Sequence, residues 1–510
     1  MAFLLASLPI LVILALMIGK RWGASRAGGA GYLTALIIAW AYFGAGPRVL
    51  AYAHAKALFL TLDVLLIVWA AFLLYRVADE AGAIAVIGRA LPRLTDNRGM
   101  QALLLGWAFA SFLQGVGGFG VPVAVTAPLL VGLGFSPLEA VVIPSVGHSW
   151  AVSFGSLATS FQALMAATGV SGVLLAPPTA AFLGIAGLLV GGMVAHAAAG
   201  WDGVRRLWPA VLVMGVAMSV AQFLVATNRM WNIAALGGGI TGLAVGVFIA
   251  PRWRQNHAGE RASADGAKVL LIALSGYLAL VVITLTVQLV HPVRAFLESL
   301  LVIQVPFPEL RTARGFVTPA GMGRKIPLFR HAGAVLFYSA VVAYLFYRRA
   351  GWYKAGALKR IVGGTVQRVM GSSVGIASMV AMAMVMQHAG MTETLARGLA
   401  SAVGKAYPLM APWVGALGAF MTGSNTNSNV VFAALQMRTA QLLGYAVPVI
   451  LAAQSAGGAL ASVIAPTKVV VGASTTGMAG KEGDVMAALG AYVVILIALV
   501  SLLTVGALLL

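Results

Sequence analysis

Runs of about 20 apolar residues recur along the whole chain, and the short segments between them hold most of the charges. A helical run of that length crosses the hydrocarbon core of a bilayer. The pattern predicts an all-α polytopic membrane protein with about 12 transmembrane helices. The expected spans are 3–19, 31–47, 57–75, 138–160, 177–198, 208–227, 231–250, 269–290, 333–347, 369–388, 444–465 and 486–508.

Two further apolar stretches, 100–135 and 408–437, are interrupted in the middle by glycine-rich or polar sequence. Irregular backbone is tolerated at membrane depth only where it is buried in protein or lines a cavity. We therefore expect two re-entrant hairpins. For the glycine-rich stretch, tight packing of small residues between helices is the competing explanation.

A shift of about 310 residues places the segment 111–115 near 419–423 and the segment 145–151 on 455–461. We predict two inverted repeats of five spans and one hairpin each, with chance similarity of glycine-rich stretches as the alternative. Broken helices in inverted repeats are typical of secondary transporters. The expected parts are 1–200 with hairpin 100–135, two linking helices and a cytoplasmic loop in 201–268, and 269–510 with hairpin 408–437.

Composition agrees with lipid as the main solvent. Of 510 residues, 61% are hydrophobic and 9% charged, whereas soluble domains carry roughly 25% charged residues. Cysteine is absent, which excludes disulfides, thiolate metal sites and thiol chemistry. We expect neither a cofactor nor a metal site.

The net charge of +20 would suggest nucleic acid in a soluble protein. Here the basic residues lie between apolar spans, where the positive-inside rule places them, so no nucleic acid partner is expected. The first apolar run precedes its charges, unlike a cleavable signal. We predict an inner-membrane, multi-pass protein with the N-terminus outside. The basic residues of the predicted inside lie mainly in 20–26, 76–98, 205–206, 252–268, 348–368 and 468–481.

The first hairpin carries glycines at four of six positions and is followed by Pro122. Glycine permits close approach to backbone amides, and an exposed helix end there would favour an anion. The candidate substrate-binding residues are Gln114, Gly115, Gly117, Gly118, Phe119 and Gly120.

The second hairpin contains seven polar side chains within residues 422–429, between apolar segments. Polar groups in hydrocarbon must find partners or cost several kcal/mol each. We expect a ligand or ion site here rather than a purely structural hydrogen-bond network. The candidates are Ser424, Asn425, Thr426, Asn427, Ser428 and Asn429.

Each hairpin is followed by a span that is itself interrupted, so four half-helix ends could converge on one cavity. Amide dipoles, carboxamides and hydroxyls suit a carboxylate and a cation. The candidates here are His148, Ser149, Ser153, Gln454, Ser455 and Lys468. Lys468 is equally explained as a positive-inside loop residue.

Ionisable residues within spans are few. Asp63 is the acid that lies in the middle of an unbroken apolar helix, and an intramembrane carboxylate suits proton carriage. His148 titrates near neutral pH when unperturbed. Both are candidates for ion coupling, and a structural hydrogen bond or ion pair is the alternative for each.

The segments 112–125, 129–135, 422–436 and 454–482 resemble the L-lactate permease family, which includes glycolate permeases. The Ser-Asn-Thr element at 424–426 is also similar to that of dicarboxylate and citrate transporters with paired hairpins, the hairpin-containing ion transporter superfamily. The resemblance implies proton-driven symport of a short monocarboxylate, typically a 2-hydroxy acid such as L-lactate or glycolate. The wider group implies elevator-type motion and a homodimer.

Two residues depart from the family pattern. Gln114 stands where a Glu is common, and Asn425 stands where an Asp is common. Neither amide can carry a proton, so coupling would pass to Asp63 or His148, or else Na⁺ would replace the proton. A passive anion channel is a second possible class. A membrane-embedded enzyme is disfavoured by the lack of cysteine and of paired intramembrane histidines.

Overall fold

The computed structural model describes residues 1–20, 22–118, 120–253, 264–323, 325–478 and 481–509. Phe119 and part of the predicted cytoplasmic loop, 254–263, lie outside these ranges. The first helices are α1 (Ala2–Gly19), α2 (Ala24–Ala41), α3 (Pro47–Glu80), α4 (Ala83–Ala90), α5 (Arg98–Ala102), α6 (Ala110–Val116), α7 (Val121–Gly132), α8 (Pro137–His148), α9 (Gly155–Thr168), α10 (Gly172–Thr227) and α11 (Ala234–Ile249). A π-helical segment, Leu103–Phe109, joins α5 to α6.

The remaining helices follow α11 in the chain. They are α12 (Ala264–Leu289), α13 (His291–Leu300), α14 (Ala332–Arg349), α15 (Ala357–His388), α16 (Met391–Val403), α17 (Tyr407–Thr422), α18 (Asn425–Leu443), α19 (Val447–Ala461), α20 (Pro466–Thr475) and α21 (Glu482–Leu509). Short 3₁₀ segments lie at Leu91–Leu94, Ser149–Ala151, Trp231–Ile233, Ala250–Trp253, Gly404–Ala406 and Ser462–Ile464.

Within the described ranges, eight helices are long and apolar enough to cross a membrane, and α8 with α9 adds a ninth span bent by 48°. The prediction of an all-α multi-pass membrane protein is confirmed, while the number of 12 spans stays a prediction. The predicted spans 177–198 and 208–227 are two arms of α10, whose backbone leaves the helical region at Ala199 and Gly200. Ser219 Oγ donates to Gly184 O at 2.8 Å, so the arms fold back on each other.

Both interrupted stretches form helix–turn–helix elements. The first runs from α5 through α6 to the turn residues Gly117 and Gly120 and back along α7, and the second runs from α17 through Gly423 and Ser424 to α18. The next helix pairs, α8 with α9 and α19 with α20, are the broken spans. Helix α18 packs on α9, and α7 packs on α20. The interrupted elements of the two halves therefore meet.

An interrupted β-hairpin crosses one face of the protein in the loop 291–332, whose role the sequence leaves open. Its strands are β1 (Val302–Ile303), β2 (Pro306–Phe307), β3 (Leu310–Arg311), β4 (Val317–Thr318), β5 (Gly321–Met322) and β6 (Ile326–Pro327). They pair antiparallel as β1 with β6, β2 with β5 and β3 with β4. At the tip, Ala313 N donates to Gly44 O at 2.8 Å, which fixes the hairpin on the turn between α2 and α3.

Candidate functional site

Both hairpin tips press against the break in the following span. Gly118 has a φ of +54°, and a methyl group there would lie 1.8 Å from Ser156 Oγ. Gly423 has a φ of +68°, and a methyl group there would lie 2.1 Å from Thr467 Oγ1. A side chain at either position would be strained and would collide with its neighbour. The two glycines thus allow each tip to contact its broken helix directly.

The first turn of α9, directly after the break from α8, is left-handed. Ser156, Leu157 and Ala158 have φ values of 46°, 58° and 63°, which cost roughly 1–2 kcal/mol per residue for L-amino acids. Thr159 Oγ1 donates to Ser156 O at 2.5 Å and secures the turn. Strain of this kind persists where the surroundings determine the backbone, and it concentrates at functional sites.

A buried polar seam joins the second hairpin to both broken spans. We define the polar seam as Ser153, Ser160, Asn425, Thr426, Asn429 and Ser455, all of which are buried. Asn425 Nδ2 donates to Ser153 Oγ at 3.1 Å, and the hydroxyls of Ser153 and Ser455 lie 2.9 Å apart. The seam therefore contains five predicted site residues, Ser153, Asn425, Thr426, Asn429 and Ser455.

Asn429 completes the seam, since its Nδ2 donates to Ser455 Oγ at 3.1 Å and to Ser160 O at 2.9 Å. The hydroxyls of Thr426 and Ser160 lie 3.1 Å apart. The bonds of Ser160 with Asn429 and with Thr426 connect α18 to α9, which come from different halves of the chain, whereas Asn429 and Ser455 both belong to the later half. Parting the halves would break the two bonds to Ser160, at about 0.5–1.5 kcal/mol per bond.

Several buried acceptor atoms on the two hairpins and at the end of α8 are unused. Among the described residues, no hydrogen-bond partner exists for Asn425 Oδ1, Asn427 Oδ1, Asn429 Oδ1, Gln114 Oε1 or His148 Nε2, although all five atoms are buried. His148 Nδ1 faces Pro144 O at 2.5 Å, so Nδ1 carries the hydrogen and Nε2 is an acceptor in the neutral ring. A buried acceptor without a donor is costly. The set suits a cation or a ligand that brings hydroxyl groups.

Ser428 and Gln454 belong to a second network that lies within the later half of the chain. Gln454 Nε2 donates to Ser428 Oγ at 3.0 Å, and Gln436 Nε2 donates to Gln454 Oε1 at 2.9 Å. Tyr407 donates to Gln436 Oε1 at 2.6 Å. These side chains have partners and fix α17, α18 and α19 to one another.

The other predicted residues have local contacts. Ser424 caps α18 by accepting from Asn427 N at 3.3 Å, and Ser149 Oγ donates to Val146 O at 2.7 Å. Lys468 Nζ donates to Ser462 Oγ at 2.9 Å and lies near enough to His148 to act on it electrostatically.

Three glycines of the first hairpin face other elements. A methyl group on Gly115 would lie 2.7 Å from the backbone of Leu236, so Gly115 permits close packing on α11. Gly117 faces Tyr75, and Gly120 faces Val471 of α20.

Asp63 lies apart from the polar seam and pairs with a residue that the sequence does not suggest. His331 Nε2 lies 2.9 Å from Asp63 Oδ1, and His331 Nδ1 accepts from Gly333 N at 3.2 Å. Since Nδ1 accepts, Nε2 carries the hydrogen toward the carboxylate. The pair borders a cavity of about 160 Å³ that also contacts Gln162 of α9.

The sequence model of the L-lactate permease family matches residues 2–510. The chain belongs to the L-lactate permease family. The L-lactate permease of Bacillus subtilis is 29% identical over 519 residues, which cover 94% of this chain and 91% of the relative. The glycolate permease GlcA of Escherichia coli K12 is 28% identical over 454 residues, covering 82% and 80% respectively.

Among solved structures, the Alcanivorax borkumensis YdaH transporter aligns over 86% of this chain and 84% of its own, with a TM-score of 0.48 and 16% identity. Family membership confirms the resemblance drawn from the two hairpin motifs, and it supports a multi-pass membrane location.

Sequence reasoning missed several residues at this site. Ser160 and Gln436 lie within apolar helices, where one polar residue gives little signal. The left-handed turn has no glycine that would announce it, and Thr467 lies beside the predicted Lys468. His331 could not be found because its partner, Asp63, is 268 positions away.

Proposed function

We propose that this protein is a symporter for a short monocarboxylate, a 2-hydroxy acid such as L-lactate or glycolate, rather than an enzyme. The observation that carries the proposal is the polar seam with its unpaired acceptors, at the meeting point of two hairpins and two broken spans. Relatives named as L-lactate and glycolate permeases supply the substrate class.

A 2-hydroxy acid offers complementary chemistry to this site. Its hydroxyl can donate to one of the acceptors that have no donor among the described residues, such as Asn425 Oδ1 or Asn429 Oδ1. Its carboxylate needs donors, which the first turn of α18 provides through backbone N–H groups. In α7, by contrast, the N–H of Val121 donates to Gly118 O and Pro122 has no N–H. Lys468 adds a positive charge close to His148. Together these groups would hold both ends of the substrate.

Proton coupling is the favoured mechanism, with the pair of Asp63 and His331 as its site. Asp63 is 2% exposed, and its cavity borders α9, which carries Ser160 of the seam. A buried carboxylate beside an imidazole can exchange a proton when its surroundings change. Coupling to Na⁺ is the second candidate, because the unpaired carboxamide oxygens are ligands that a hard cation prefers.

For the transport cycle, we propose that hairpins and broken spans move together against α3 and α15 in an elevator-type motion. Helices α3 and α15 pack on each other, while α9 and α18 contact them from the hairpin side. Two inverted repeats, a homodimer in the inner membrane and an N-terminus outside belong to the same proposal. No cofactor is required by this mechanism.

Uptake of labelled L-lactate or glycolate into proteoliposomes tests the proposal. We expect Asn425→Ala and Asn427→Ala to abolish uptake with unchanged membrane yield. The matched control is Asn228→Ala, because Asn228 is exposed at the end of α10 and its Nδ2 donates to Leu224 O in the preceding turn. Normal uptake by both hairpin variants would remove the second hairpin from the substrate site.

A further inference from the structure

A basic vestibule lies beneath the β-hairpin, on the face that carries the turn between α2 and α3. Its volume is about 580 Å³, and its walls come from α3, the last turn of α9 and the end of α15. The β-hairpin forms the roof through residues that include Phe307 and Lys325. The vestibule is separate from the polar seam and shares α9 with it.

Lys56 supplies the main positive charge of this vestibule. In the part of the chain that the structure describes, no carboxylate lies within ion-pair distance of Lys56. Its Nζ is 4.9 Å from the ring centroid of Phe307. Lys325, by contrast, lies 3.8 Å from Glu298 Oε1 and is partly neutralised. An anion in the vestibule would therefore meet one uncompensated cation.

His388 offers a complementary acceptor in the same space. It is 2% exposed, and its Nδ1 lies 2.8 Å from Met384 O, so Nδ1 is the donor and Nε2 the acceptor of a neutral ring. Nε2 has no hydrogen-bond partner among the described residues. Lys56 lies close enough to His388 to act on it electrostatically. Lys56 is complementary to a carboxylate and His388 Nε2 to a hydroxyl, so the pair suits a ligand that carries both groups.

The position of the vestibule connects it to the seam. Thr168 and Gly169, at the end of α9, form part of its wall. The same helix begins at the left-handed turn, about 18 Å away at the rise of 1.5 Å per residue. A solute held under the β-hairpin is therefore one helix length from the proposed transport site.

We propose that this vestibule is a first binding site for a 2-hydroxy monocarboxylate, separate from the polar seam. Lys56 Nζ binds the carboxylate, and His388 Nε2 accepts a hydrogen bond from the 2-hydroxyl group. The choice of substrate class rests on the proposed function. Two-point recognition of this kind discriminates against an acid without the hydroxyl, because His388 would then stay unpaired.

Equilibrium binding of L-lactate and propionate to the purified full chain tests the assignment, since propionate lacks the hydroxyl. We expect Lys56→Gln to weaken binding of both acids about five- to ten-fold, and Lys56→Arg to retain most of it. His388→Ala should weaken L-lactate about five-fold and leave propionate unchanged. Lys405→Gln, a lysine outside the vestibule, is the matched control and should bind as the wild type does.

Unchanged affinities in Lys56→Gln would overturn the assignment, as would a wild-type protein that binds neither acid. Equal losses for both acids in His388→Ala would overturn the role of His388. Uptake of labelled L-lactate is measured in parallel. If binding depends on Lys56 but no uptake occurs, the vestibule is supported and the proposed function is contradicted. If uptake occurs and is the same in Lys56→Gln as in the wild type, the proposed function is supported and the vestibule is contradicted.

Discussion

The contact between Gly118 and Ser156 gives a prediction about how the first hairpin is held. Gly118→Ala would place a methyl group 1.8 Å from Ser156 Oγ and 3.4 Å from Gln114 Nε2, on a backbone with φ of +54°. The left-handed backbone costs an alanine about 1–2 kcal/mol. Overpacking at a tight contact adds about 1–3 kcal/mol. We therefore expect Gly118→Ala to lower the free energy of unfolding by about 2–5 kcal/mol.

Ser156→Ala separates these two contributions. It removes Oγ but leaves the Ser156 Cβ atom, which lies 3.1 Å from the new methyl group. The double variant should therefore recover most of the packing loss and keep the backbone cost of about 1–2 kcal/mol. Unfolding titrations of the wild type, the two single variants and the double variant in mixed detergent micelles would measure this double-mutant cycle.

Gly363→Ala is the matched control, because among the described residues no atom outside the neighbouring backbone of α15 lies within 4 Å of a methyl group at that position. It should be neutral or stabilise by up to about 1 kcal/mol. Two results would contradict a direct contact between the hairpin tip and the broken span. One is that Gly118→Ala has the free energy of unfolding of the wild type, and the other is that adding Ser156→Ala to Gly118→Ala recovers none of the lost stability.

Two further predictions concern other ionisable residues. Asp63→Asn, which weakens the pair with His331, should impair coupled accumulation of substrate more than counterflow exchange, and equal loss of both would indicate a structural role. Hydrogen bonds from Arg438, and secondarily from Arg397, lower the pKa of Glu393 in the folded protein. Ionised Glu393 therefore stabilises the fold above the pKa that it has in the unfolded chain, and this stabilisation is lost as pH falls through the pKa that it has in the folded protein. The melting temperature of the wild type should thus fall more steeply below about pH 4 than that of Glu393→Gln, and parallel curves would contradict this.

The long apolar runs made most of the fold predictable. Their length and the interruptions at 114–120 and 422–429 indicated spans and hairpins, and α1, α12 and α21 lie where they were expected. The β-hairpin escaped prediction because its strands have two residues each and their pairing depends on distant contacts. The amphipathic helices α4 and α16 were missed because they are too short and too polar to read as spans.

The candidate site was predictable in residue type more than in pairing. A dense polar segment within apolar sequence identified Asn425 and Asn429, since such groups need partners or ligands. The hydroxyls that they contact belong to Ser153, in the break before α9, and to Ser455 of α19, and no local pattern encodes those contacts. The partnership of Asp63 with His331 is a long-range contact of the same kind.

The most direct test of coupled monocarboxylate transport is uptake of labelled L-lactate into proteoliposomes under separately imposed proton and Na⁺ gradients. We predict accumulation above the equilibrium level with a proton gradient and loss of that accumulation in Asp63→Asn. Accumulation with Na⁺ alone would transfer coupling to the carboxamide oxygens of the second hairpin. Uptake that only equilibrates under both gradients would contradict symport, and no uptake of L-lactate or glycolate would contradict the substrate class.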